Sequence, residues 1–91
     1  MIHLIKKIVD KKPYKLKLEF NTGETLWVDL EELIKSKSSA NDSIYKPLLD
    51  EKYFSSVKLQ PEWETIYWDN GLDFCPDTLY MLGAKTELNK Q

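Results

Sequence analysis

Arginine is absent from this chain of 91 residues, cysteine and histidine occur once each, and glycine three times. Each scarcity closes off a class of chemistry. A lone Cys75 cannot form an internal disulfide, and with His3 as its sole companion it cannot build the usual cysteine and histidine zinc sites. Without arginine the chain lacks the planar fork that reads guanine edges and phosphates bidentately, so direct DNA binding is not expected. Three glycines leave little backbone for a phosphate cradle. No P-loop, HExxH helix or Ser-His-Asp order occurs, so neither an enzyme nor a bound cofactor is expected. No apolar run approaches the roughly 20 residues of a membrane helix, and the first ten residues lack a secretory apolar core, so a cytoplasmic protein away from membranes is expected.

What is present is a balanced charge, with a formal net value of −2, and a composition 42% hydrophobic and 12% aromatic. That balance recommends neither nucleic acid nor an anionic membrane as a partner. The length suits one compact α+β domain over residues 1–84, followed by a polar tail over 85–91. Ile2, Leu4, Ile5, Ile8 and Val9 favour a first strand. Leu16, Leu18 and Phe20 then alternate strictly with Lys15, Lys17 and Glu19, which is the period of a strand with one wet face. Asn21-Thr22-Gly23 turns the chain into Leu26, Val28 and Leu30, and the two runs read as a hairpin. A short helix is expected from Asp29 or Leu30 to about Lys35, then a surface loop over Ser36 to Ser43. A further one- or two-turn helix from Pro47 is expected to bury Leu49 with Tyr53 or Phe54. Ser56 to Gln60 and Glu64 to Trp68 form a second hairpin. The expected fold is a small, mostly antiparallel sheet of two hairpins with two or three short helices on one side.

The stretch from Thr65 to Gly83 packs a strand, a turn and a helix start together with little slack. Asp69-Asn70-Gly71 bends backbone cheaply, and Pro76 suits a first helical position, where its missing amide is no loss. A helix is therefore expected from Pro76 to near Gly83, with Asp73 capping it or accepting amides in the turn before it. Asp69, Asp73 and Asp77 together raise the alternative of a small-ligand or divalent-cation site. The spacing departs from the alternate-position pattern of an EF-hand loop, which favours capping carboxylates instead. Cys75 precedes the helix without a base nearby in sequence, so an inert thiol is expected.

Alternation puts Trp27 opposite the core residues of the first hairpin, beside Lys15 and Lys17. An indole left on an open sheet face has the character of a binding anchor. Trp27, Lys15 and Lys17 are therefore the candidate interaction surface, with Trp27 expected among the more exposed aromatics and in a partner or homodimer interface.

Three stretches, LEFNTGETLWVDLEELI, PLLDEKYFSSVKL and TIYWDNGLDFCPDTLY, resemble the small prokaryotic proteins grouped as domain of unknown function family 2442. Trp68, Asn70, Gly71, Asp73, Pro76, Asp77 and Tyr80 fall where that family has its structural motif. The resemblance implies a compact α+β domain without an established enzyme activity. Relatives often occur beside a second small protein, of family 4160, in an arrangement similar to a toxin and antitoxin pair. No helix-turn-helix segment follows Gly83, as one does in some relatives. Together these readings lead to a non-enzymatic protein-interaction module, the antitoxin-like partner of a small toxin-like protein.

Overall fold

The computed structural model describes residues 3–39 and 43–88, with the side chains of 87 and 88 excepted. Three antiparallel strands, β1 (Ile5–Lys12), β2 (Lys15–Phe20) and β3 (Thr25–Asp29), form one sheet in that order. Strict alternation in β2 turns Leu16, Leu18 and Phe20 to one side, where all three are buried. The register then sets Leu16 against Val28, Lys17 against Trp27 and Leu18 against Leu26. The apolar N-terminal run is thus a third strand beside the expected hairpin. It turns into β2 at Tyr14, which adopts φ 64°. That residue is held in its left-handed conformation by its own side chain, whose hydroxyl donates to the Leu49 carbonyl while its ring meets Phe54 edge-on at 5.8 Å.

The second hairpin, β4 (Lys58–Gln60) and β5 (Thr65–Tyr67), forms a separate two-stranded sheet. The two sheets are joined where the Ile5 amide donates to the Glu64 carbonyl at 2.7 Å. Among the described residues this is an α+β fold with two small antiparallel sheets and three α-helices, α1 (Glu31–Lys37), α2 (Glu51–Ser55) and α3 (Pro76–Leu88). Among the described residues, no helix is long and apolar enough to cross a membrane.

Three local expectations are corrected. Before α2 the chain makes a 3-10 turn at Lys46–Leu49, after which Asp50 is extended and caps α2 by accepting the Lys52 amide at 3.0 Å. That break changes the helical phase, so Leu48 and Phe54 are buried while Leu49 faces out. Ser36 and Lys37 belong to α1, and the centre of the expected serine-rich loop, residues 40–42, lies outside the described residues. Finally, α3 does not stop at Gly83 but continues to Leu88, into the segment read as a tail. Gly83 instead lies close against β3. A Cβ there would sit 3.0 Å from Leu26 Cβ and 3.3 Å from Val28 Cγ2, so the missing side chain lets helix and sheet touch.

The core is centred on Trp68, which is fully buried. Its ring packs against Phe54 and Phe74 at 5.7 and 5.8 Å. Its indole N–H donates to the Phe54 carbonyl at 3.0 Å, so burial leaves no polar atom unsatisfied. Removing a tryptophan of this size from water contributes on the order of 5 kcal/mol before entropy is counted.

Candidate functional site

Residues of the motif between Thr65 and Tyr80 do two jobs. Asn70 is the hub of the turn: its Oδ1 accepts the Leu72 amide at 3.1 Å, and its Nδ2 donates to the Ile44 carbonyl at 2.8 Å. Its own amide donates to the Tyr53 hydroxyl at 3.0 Å. Gly71 adopts φ 92°, a conformation costly for any residue with a Cβ, and its amide closes the turn on the Trp68 carbonyl at 3.0 Å. Trp68, Asn70 and Gly71 are therefore scaffold.

Asp77 and Tyr80, in the first turns of α3 behind Pro76, fasten the start of the chain. Asp77 accepts from the His3 amide at 3.1 Å and pairs with His3 Nδ1 at 2.9 Å. The backbone bond first, then the ring bond, holds its carboxyl below the usual carboxylate range. The His3 ring stacks on Tyr80 with centroids 3.8 Å apart, and Tyr80 meets Phe20 edge-on at 5.3 Å. Its hydroxyl donates to Glu24 at 2.7 Å, which raises the phenol pKa because ionisation would break that bond. Sequence distance hid this cluster, since His3 and Asp77 are 74 positions apart.

Asp73 does neither job. Its backbone bridges Tyr67, and among the described residues its side chain caps nothing, which corrects the expected helix cap. The bridge continues the β5 pairing past the turn and holds Asp73 alongside Tyr67 rather than at the mouth of α3. The three acids do not form one cluster either. Asp69 pairs with Lys58 at 2.9 Å, which raises the Lys58 pKa, and Asp77 is occupied by His3. Among the described residues, no group of three His, Cys, Asp or Glu side chains, Cys75 included, could hold a metal ion.

The other candidate surface lies on the first sheet. With Leu26 and Val28 turned to α3, Trp27 points to the opposite face, where Lys12 Nζ and Lys17 Nζ stand 4.9 and 5.9 Å from its ring centroid. Trp27 is half-buried, with lysine side chains over its ring, and the most exposed indole is Trp63 at 72%. Lys15 is not over the ring. It stands opposite Asp29 and lines a groove of about 660 Å³ with Glu31, Leu33, Leu82 and Thr86. Lys12 was missed because it reaches Trp27 from β1, whose place as a third strand the hairpin reading left out. Acidic neighbours temper the face, since Asp10 pairs in register with Lys17 and Glu19 with Lys7.

A small α+β domain with two antiparallel sheets and a tryptophan-centred turn leading into a helix defines the class. The chain belongs to the family described as protein of unknown function (DUF2442), which matches residues 5–85. No curated protein is significantly similar to it. Among solved structures, the fold is shared with the crystal structure of a putative DNA binding protein from Nitrosomonas europaea ATCC 19718. The TM-score is 0.76 and the identity 22%, over 96% of this chain and 52% of that one. The chain thus spans about half the length of that protein, and the likeness at this identity shows the fold. The description of that neighbour nevertheless overturns the expectation against direct DNA binding. Missing arginine argues against one mode of base readout, whereas lysines and backbone amides still contact phosphate.

Proposed function

We propose that the chain is a non-enzymatic interaction module that binds a small protein through the open face of its first sheet. The observation that carries this reading is the pair of ammonium groups, of Lys12 and Lys17, over the Trp27 ring. An indole fixed in this way offers a rigid apolar anchor, and the two ammonium groups are already ordered around it, so a partner carboxylate meets them at little further entropy loss. In its finer form the partner is a toxin-like protein and this chain its antitoxin-like neutraliser, a role supported by the family resemblance alone. The test is co-purification with the product of the neighbouring gene. The wild-type chain is expected to retain it stoichiometrically, and Trp27→Ala and Lys17→Glu to lose it while remaining folded. Recovery of the wild-type chain alone refutes the reading.

A second reading, DNA binding, is favoured by the description of the Nitrosomonas europaea protein. On this reading Lys12, Lys15 and Lys17 contact phosphates. Affinity for a labelled duplex would then fall about 40-fold between 50 and 200 mM salt, as release of roughly three counterions requires. Fluorescence anisotropy at the two salt concentrations separates the readings.

A further inference from the structure

A second surface, remote in sequence from Trp27, lies where the β4–β5 turn meets the Asp69–Asp73 turn. Gln60, Trp63, Thr65, Tyr67, Gly71 and Asp73 line a cleft of about 210 Å³. Trp63 stands at its rim, 72% exposed, an unusual position for the largest apolar side chain. Tyr67 is half-buried, and Gly71 presents no side chain on its side of the opening, since a Cβ there would meet nothing within 4 Å. The Thr65 hydroxyl is already committed to the Phe74 carbonyl at 2.5 Å.

The charges around this cleft do not cancel. Lys58 is taken by Asp69 at 2.9 Å, and Lys6 by Glu64 at 2.5 Å. That leaves Asp73 in the lining and Glu62 beside Trp63, both exposed, with no ion-pair partner among the described residues. Two aromatic rings next to uncompensated carboxylates describe a receptor for a cation on an aliphatic stem: the stem lies along the rings and the charge reaches the acid.

We infer that this cleft takes a lysine or arginine side chain presented by a protein partner, with Trp63 and Tyr67 flanking the stem and Asp73 receiving the charge. Gln60 also lines the cleft, and its side-chain amide supplies an acceptor for a further N–H of the guest. The assignment is independent of the Trp27 reading, because it concerns a different sheet and a guest of opposite charge.

The test is a titration of the intact ¹⁵N-labelled chain with a capped nonapeptide of alternating glycine and arginine, its lysine twin and its glutamate twin, followed by NMR. The basic peptides are expected to shift the Trp63 indole and Gly71 amide resonances saturably, and the glutamate peptide to leave them in place. Asp73→Asn and Trp63→Ala each replace an exposed side chain and should weaken binding about two- to fivefold with unchanged circular dichroism. Glu32→Gln, in the groove between α1 and α3, should leave it unaltered. The inference is overturned if the basic peptides cause no saturable shift, if the shifts centre on Glu31 and Glu32, or if Asp73→Asn binds as tightly as the wild type.

Discussion

Gly83→Ala sets two opposing effects against each other within one methyl group. In an exposed helix the change would stabilise by about 1 kcal/mol, because alanine is the better helix former and restricts the unfolded chain. Here the new carbon would stand 3.0 Å from Leu26 Cβ, 3.1 Å from Leu26 Cδ1 and 3.3 Å from Val28 Cγ2. Carbon atoms prefer separations of about 3.5–4.0 Å, so α3 must retreat from β3 by roughly half an ångström. The Leu26 Cδ1 atom can swing aside, but its Cβ is fixed to the strand backbone. Overpacking of this kind costs about 1–3 kcal/mol, which exceeds the helix gain and leaves a net loss of about 1 kcal/mol. For a domain of this size that lowers Tm by roughly 4–8 °C. Urea denaturation followed by circular dichroism and by tryptophan emission measures it. Thr78→Ala, on the exposed side of the same helix, is the control and should gain a few tenths of a kcal/mol. If Gly83→Ala is as stable as the wild type or more so, the close contact does not constrain the helix and the reasoning fails.

Three further outcomes follow from the hydrogen bonds and burial described above. Trp68→Phe removes the indole bond to the Phe54 carbonyl and part of the core volume, and should lower the unfolding free energy by about 2–3 kcal/mol; a loss below about 1 kcal/mol in urea titration contradicts a packed centre. Asp77 is held below the usual carboxylate range by His3, so the stability it contributes is present above the unfolded-state pKa and is lost as pH falls through the lower, folded-state value. Denaturation midpoints of wild type and Asp77→Asn should therefore differ near pH 6 and converge on acidification, and a gap that widens in acid refutes the assignment. Asp73→Ala should change stability by less than about 0.5 kcal/mol, because its side chain holds no helix amide; a loss of 1 kcal/mol or more by differential scanning calorimetry restores the cap.

Strand alternation was legible wherever one face is wet and one dry. Leu16, Leu18 and Phe20 against Lys15, Lys17 and Glu19 locate β2, its register on β3 follows, and Pro76 marks the start of α3. The errors lie where a residue's role depends on something far along the chain. Gly83 reads locally as a helix end, and only its contact with Leu26 and Val28 reveals a packing role. Asp73 looks like a cap by spacing, yet the bridge to Tyr67 carries it elsewhere. The choice between Leu48 and Leu49 turned on a 3-10 turn and an extended Asp50, a phase slip that simple helical periodicity does not register. For the candidate surfaces, the pairing of Trp27 with Lys17 was readable from the hairpin register, whereas Lys12 needed the third strand. Trp63 was hidden by its type, since aromatic residues in a small domain are mostly counted toward the core.

The three indoles stand in three different surroundings: Trp68 fully enclosed, Trp27 under two ammonium groups, Trp63 in open solvent. The protein therefore carries its own set of optical reporters. Iodide, drawn to the lysines, should quench Trp27 more effectively than caesium does, while Trp63, beside uncompensated carboxylates, should show the reverse preference and Trp68 respond to neither. Events on the first sheet, on the second hairpin and in the core can thus be followed separately by steady-state fluorescence, without attaching a dye.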